Sequence, residues 1–187
     1  IFKMNSSISD EKDYLNEIKH IDINKYKLTL IMEECDIKVF KAIDKVSKKI
    51  FMIRQITIKN EKVTEILKKM EILISFKSPF VLKNIGYDIT DHDNDFKILL
   101  VLSEYPPNLT LDKFIYKNEW DETQKLIVIY GIALGIAYLH SKNIIFYELT
   151  LNNIYLDEYL LPKIGFCDAF ILNYDIEFQS KGIGIFQ

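Results

Sequence analysis

The apolar positions change period several times between Tyr26 and Tyr105. KLTLIM, IKVFKAI and KIFMIRQITI (27–32, 37–43 and 49–58) alternate apolar with polar residues and are rich in β-branched side chains. Alternation at period two predicts strands, and the polar breaks EECD and DKVSKK between them predict two hairpin turns. The period then lengthens. Ile66, Met70 and Leu73 recur at helical spacing within EKVTEILKKMEILISF. This predicts a helix with Asn60 as its N-cap, stopped by Ser78-Pro79-Phe80. VLKNIGYDI and FKILLVLSEY flank the polar loop TDHDND and bring the strands to five. Five strands with one helix make a compact α+β lobe.

Tyr105-Pro-Pro-Asn108 reads as a linker, because proline removes a donor and stiffens the chain. Beyond it the pattern is helical: a short helix from Leu111 to Lys117, then a long one from Asp121 to Ser141 with Asp121 as N-cap. Its apolar run, Leu126 to Leu139, is shorter than a bilayer span and carries Gly131 and Gly135, so it reads as a buried core helix. NIIFYEL, NNIYLDE and LPKIGF read as short β segments around loops. The expected organisation is an extension over 1–25 with a short helix near Asp10–Lys19, a lobe over 26–105 and a second, mainly helical part over 106–187.

Composition narrows the class. The chain has 187 residues, 49% hydrophobic and 27% charged, which fits a folded globular protein and not a disordered one. A net charge of −3, with lysines scattered among acids, argues against nucleic-acid binding. Cys35 and Cys167 are too few and too far apart for a disulfide framework or a zinc site. A reducing, cytoplasmic location is expected, with no secretory signal in the opening Ile-Phe-Lys-Met and no membrane association. The missing initiator Met and the end at Gln187 read as a fragment.

The order of these elements and several short strings resemble a protein kinase over roughly residues 26–187. YLHSKNII (138–145), followed by Leu149 and Asn153, is similar to the approach to the catalytic loop H-R-D-L-x-x-x-N. LDEYLLPKIG (156–165) is similar to the hairpin before D-F-G, and VFKAID (39–44) to the strand after the glycine-rich loop. SPFVLKNIGY (78–87) resembles the segment after the family's helix C, and VLSEY (101–105) its hinge. The resemblance implies a bilobal α+β fold. It would have a five-stranded antiparallel N-lobe with one helix and the upper part of a helical C-lobe, ending in the activation segment.

It also implies site positions, and there the chain departs from the family. The phosphate-covering loop falls on MEECDI, 32–37, without glycine and with Glu33, Glu34 and Asp36. Such a loop needs glycines so that backbone N–H groups approach phosphate, and three carboxylates repel it. A plain β-turn fits the stretch better. The strand lysine aligns with Arg54, and its helix partner, normally glutamate, with Lys69; Glu65 lies one turn earlier. Arg54, Val39 and Glu104 hold nucleotide-site positions by resemblance. Met52 and Tyr155 fall on the roof and floor of the adenine slot, and both are bulkier than the family's residues. Pro106 stands where a hinge N–H would donate.

H-R-D corresponds to Phe146, Tyr147 and Glu148. Glu148 keeps a carboxylate at the position of the base, one methylene longer. Thr150 replaces the phosphate-contacting lysine, and Asn153 matches the second-metal asparagine. D-F-G falls on Phe166, Cys167 and Asp168. Phenylalanine offers magnesium no oxygen. Asp168 would serve as a metal ligand, with Asn153, only after a register slip. The series Asp91, Asp93, Asp95 lacks the glycine and the glutamate of a calcium loop and reads as a hairpin loop.

Three readings follow. The first is a pseudokinase-like domain, catalytically impaired, that acts as a binding or allosteric scaffold for an unspecified protein partner and takes no cofactor. The second is a divergent, weakly active kinase using ATP and magnesium, with Glu148 as base and Asp168 and Asn153 on the metal, phosphorylating Ser, Thr or Tyr. The third is a truncated product without a selected function. On any of them the apolar helix 126–139 is expected to expose a patch that promotes association.

Overall fold

The computed structural model describes residues 21–34, 36–108, 110–116, 120–145 and 149–165. The expected helix at 10–19 lies outside them. By internal contacts the chain divides into two compact units, Ile1–Ile74 with Asn84–Tyr105 and Ser75–Lys83 with Pro106–Gln187.

The first unit is built on β1 (Tyr26–Glu34), β2 (Ile37–Asp44), β3 (Ile50–Lys59), β4 (Asn84–Asp91) and β5 (Phe96–Glu104). All pair antiparallel, in the order β1-β2-β3-β5-β4, so the α+β expectation holds. Alternation assigns the two faces. On one, Tyr26, Ala42, Ile53, Leu100 and Leu102 form a buried cluster with Ile21 and Ile85. Ile21 and Ile23, expected to belong to an uncommitted extension, pack on this cluster. On the other face β3 buries Met52, Arg54, Ile56 and Ile58. Helix α1 (Val63–Ile74) buries Ile66, Lys69, Met70 and Leu73, the helical period seen in the sequence.

Asn60 does not cap this helix. It opens a 3-10 turn (Asn60–Lys62), and its amide Nδ2 donates to the carbonyl of Asn94 at 2.6 Å. This donor bond does not use Oδ1, the atom a cap would use, but it ties the side chain to the β4–β5 hairpin. β4 also begins later than VLKNIGYDI predicts, because Val81 forms only an isolated bridge to Ile164.

The second unit holds α2 (Leu111–Ile115), α3 (Glu122–Ser141) and the two-stranded sheet of β6 (Ile154–Leu156) and β7 (Pro162–Ile164). Asp121 caps α3 as expected, within a reciprocal capping box with Gln124. Gly131 and Gly135 let α3 approach its neighbours. A Cβ at 131 would lie 2.5 Å from Pro162, and one at 135 would lie 2.7 Å from Ile164. Residues 75–83 run beside this hairpin: Ile164 donates to the Phe80 carbonyl at 2.8 Å, and Leu82 donates to that of Ile164 at 2.9 Å.

Two expectations are corrected here. Helix α3 is buried along one side only, and the exposed apolar patch expected of it is present. Only Val128, Gly131, Gly135 and Leu139 are buried, while Leu126, Ile129 and Tyr130 stand 65%, 64% and 67% exposed. As a 20-residue element it also has the length and hydropathy to cross a membrane, although its apolar run alone reads as too short. Of NIIFYEL, the described residues 143–145 and 149 form no strand.

Candidate functional site

The turn between β1 and β2 is where the resemblance places a phosphate loop. Its strands pair to the end, with Glu33 opposite Lys38 and Glu34 opposite Ile37. Glu33 and Lys38 form a cross-strand ion pair at 2.8 Å, and Thr57 of β3 donates its N–H to the Asp36 carbonyl at 2.9 Å. The turn is short, tied down and acidic. It presents no glycine whose backbone could approach an anion.

Arg54 lies at the centre of β3 and is 2% exposed. Its register partners are Val39 on β2 and Val101 on β5. Val39 is buried beside it. The guanidinium Nη2 donates to Asn84 Oδ1 on β4 at 3.2 Å, and Ser103 Oγ donates to the same oxygen at 2.9 Å. Because β5 lies between β3 and β4, the arginine reaches over β5 within the sheet face.

Lys69 is also buried, at 2% exposure, and pairs with Glu65 one turn back on α1 at 3.0 Å. The glutamate that the sequence offers as a rescuing partner is therefore engaged by the helix lysine. Met52 is buried two residues from Arg54 on the same face of β3. Glu104 closes β5 opposite Phe51.

In the second unit, Asn153 ends a 3-10 turn (Leu151–Asn153) before β6, and its carbonyl accepts the N–H of Gly165 at 2.8 Å. Tyr155 pairs with Lys163 across the β6–β7 hairpin, and its ring lies against Gly165. Glu148 and Asp168 lie outside the described residues, as do Phe146, Tyr147, Phe166 and Cys167.

The aspartate series reads correctly as a loop. Asp93 Oδ1 accepts the N–H groups of Asp95 at 2.9 Å and Phe96 at 2.8 Å, and these bonds hold its carboxyl below the usual range. Asp91 pairs with Lys97. No cluster able to hold a metal ion occurs among the described residues.

Asn84 and Ser103 carry no motif, so the sequence reading passes over them. A signal was present all the same. Ser103 is a polar residue in the apolar strand FKILLVLSE and Asn84 stands at the start of β4; both are buried, and buried polar groups must find partners.

These elements define the class. The chain belongs to the protein kinase family: the family model described as "Protein tyrosine and serine/threonine kinase" matches residues 32–176. Among relatives, the probable serine/threonine-protein kinase samkA of Dictyostelium discoideum is 29% identical over 160 residues, which is 82% of this chain and 24% of that protein. Cysteine-rich receptor-like protein kinase 27 of Arabidopsis thaliana is 31% identical over 108 residues, 52% of this chain and 16% of its own length. Cysteine-rich receptor-like protein kinase 10 of the same plant is 35% identical over 104 residues, 50% of this chain and 15% of its own. The chain thus spans a quarter or less of the length of these relatives.

Proposed function

We propose that this chain is a catalytically impaired kinase domain, a pseudokinase, that works as a binding or allosteric scaffold for a protein partner. The burial of Arg54 within the sheet, with its Nη2 donating to Asn84 at 3.2 Å, carries the reading. Phosphoryl transfer depends on positioned charges around phosphate and metal. Here the strand cation is turned into the sheet, the helix position holds Lys69, and the loop position holds a closed acidic hairpin. The described residues at these positions do not fit a magnesium-bound triphosphate, and no step through it is derived. The two distant cysteines favour a reducing, cytoplasmic setting.

The rival is an active kinase that uses ATP and magnesium, with Glu148 as base and Asp168 and Asn153 on the metal. The names of the relatives favour it. Thermal unfolding with ATP and magnesium or manganese separates the two. A ligand at a hundred times its dissociation constant stabilises by about 2.7 kcal/mol. The scaffold reading expects no shift in melting temperature. A clear shift, abolished by Asp168→Ala, would establish the enzyme instead.

A further inference from the structure

In sequence the lysines lie scattered among acids, and a net charge of −3 gives no hint of a basic surface. The sheet sorts them by end. The β2–β3 turn, residues 44–49, lies where Tyr26 pairs with Asp44 and Ile43 with Ile50. The stretch 22–25 joins it there, since Lys45 donates its N–H to the Lys25 carbonyl at 2.9 Å. The β4–β5 turn, with Asp93 and Asp95, lies at the opposite end, where Lys59 pairs with Phe96.

Lys25, Lys45, Lys48 and Lys49 are all exposed at the first end. The acids within 22–25 and 44–49 are Asp22 and Asp44. Both accept backbone N–H groups, Asp22 from Asn24 and Asp44 from Val46 and Ser47, and Asp44 is buried. The outer surface of the turn is therefore cationic. The ammonium groups of Lys45 and Lys48 donate to the carbonyls of Asn24 and Lys45, both at 2.7 Å, neutral acceptors that leave the charge in place.

At the apex Val46 stands 92% exposed. The turn beneath it is tightly built, with two N–H groups on Asp44 and Lys48 held at φ 62°, a conformation that a lysine enters only at a cost. A convex tip of this kind offers no groove to a peptide. A bilayer of anionic lipids receives both of its parts, the apolar apex at the acyl boundary and the ammonium groups among the headgroup phosphates.

We propose that the β2–β3 turn is a docking tip for an anionic membrane surface. Val46 enters the interface, and Lys25, Lys45, Lys48 and Lys49 contact lipid headgroups. The expectation of no membrane association rests on charge averaged over the chain, and the fold separates what that average cancels. The tip goes beyond the scaffold reading and serves an active or an inactive kinase alike.

Flotation of the whole chain with phosphatidylcholine vesicles, with and without phosphatidylserine, tests it. Binding is expected only with phosphatidylserine and is lost in about 1 M salt, where charges are screened within about 3 Å. Each lysine near an anionic surface contributes roughly fivefold in affinity, so Lys45→Gln with Lys49→Gln should weaken binding about 25-fold. Val46→Asp should weaken it too, and Val46→Trp should strengthen it. Equal binding to both vesicle types, or binding unchanged by the lysine pair, overturns the proposal. So does a loss caused only by Ile129→Lys with Tyr130→Glu, which would place the contact on α3. A chain that ignores vesicles and binds polyglutamate assigns the tip to an acidic protein and refutes the membrane role. Brief amine acetylation of the unaltered chain, read by mass spectrometry, locates the contact even where a variant does not fold. Vesicles should protect Lys45, Lys48 and Lys49, and protection elsewhere with these three still reactive would refute the tip.

Discussion

The ring of Tyr155 lies against Gly165, so close that a Cβ at 165 would stand 2.3 Å from the ring carbon Cε2. The glycine cannot retreat, because its N–H is held by the Asn153 carbonyl at 2.8 Å. The sequence reading places Tyr155 on the floor of an adenine slot, and its ring also packs on Gly165 of its own hairpin. Gly165→Ala is expected to destabilise the chain by about 1–3 kcal/mol through overpacking. In a Tyr155→Ala background most of that loss should vanish. Urea unfolding of the four proteins checks this, and an equal loss in both backgrounds would disprove the contact.

Asp44 closes β2 from a buried position. Its Oδ1 accepts N–H groups from Ser47 at 2.6 Å and Val46 at 2.9 Å. The Ser47 bond is the main cause that holds its carboxyl below the usual carboxylate range. A carboxylate with a depressed folded pKa adds stability above its unfolded value, and this is lost as pH falls through the folded value. Asp44→Asn should therefore melt below the parent at pH 7, with the gap narrowing as pH drops below about 4. Melting curves across that range test the sign; a gap constant with pH would contradict it.

Two turns show how much residue choice matters at positive φ. Asn143, just after α3, has φ 59°, and Leu160, in the β6–β7 turn, has φ 62°. Asparagine visits this region readily, whereas an ordinary L side chain pays about 1–2 kcal/mol. The Asp157 carboxylate holds the Leu160 turn by accepting from Tyr159 and Leu161, both at 2.9 Å. Leu160→Asn is predicted to stabilise the chain by about 1 kcal/mol. A lowered urea midpoint would show that the leucine's packing outweighs its strain.

Helix α3 exposes Leu126, Ile127, Ile129 and Tyr130. Exposed apolar patches promote association. The chain is expected to self-associate at micromolar concentration, and Ile129→Lys with Tyr130→Glu should suppress this without lowering the melting temperature. Sedimentation velocity reads the first effect and thermal unfolding the second. A parent chain that sediments as a monomer would remove the prediction.

Much of the fold is legible in the sequence because it rests on local periods. The five strands follow from alternation, and α1 from Ile66, Met70 and Leu73. The α3 cap follows from Asp121 with Gln124 three residues on, a bond closed within one turn. Asn60 fails by the same logic. Its amide bonds Asn94, 34 residues away, a partner that no local window contains. Helix α3 fails for a related reason: apolar residues line its whole circumference, so composition cannot say which side is covered.

For the candidate site, the sequence by itself determined which residue types stand at the positions the resemblance implies. It shows no glycine between β1 and β2, arginine in place of the strand lysine, and lysine in place of the helix glutamate. What those residues do instead was decided only by tertiary structure. Arg54 and Asn84 are 30 residues apart, and only the order β3-β5-β4 lays the guanidinium over one strand to reach the next. A buried cation must find its acceptors wherever the fold supplies them. Sequence names the charge; the sheet selects its partner.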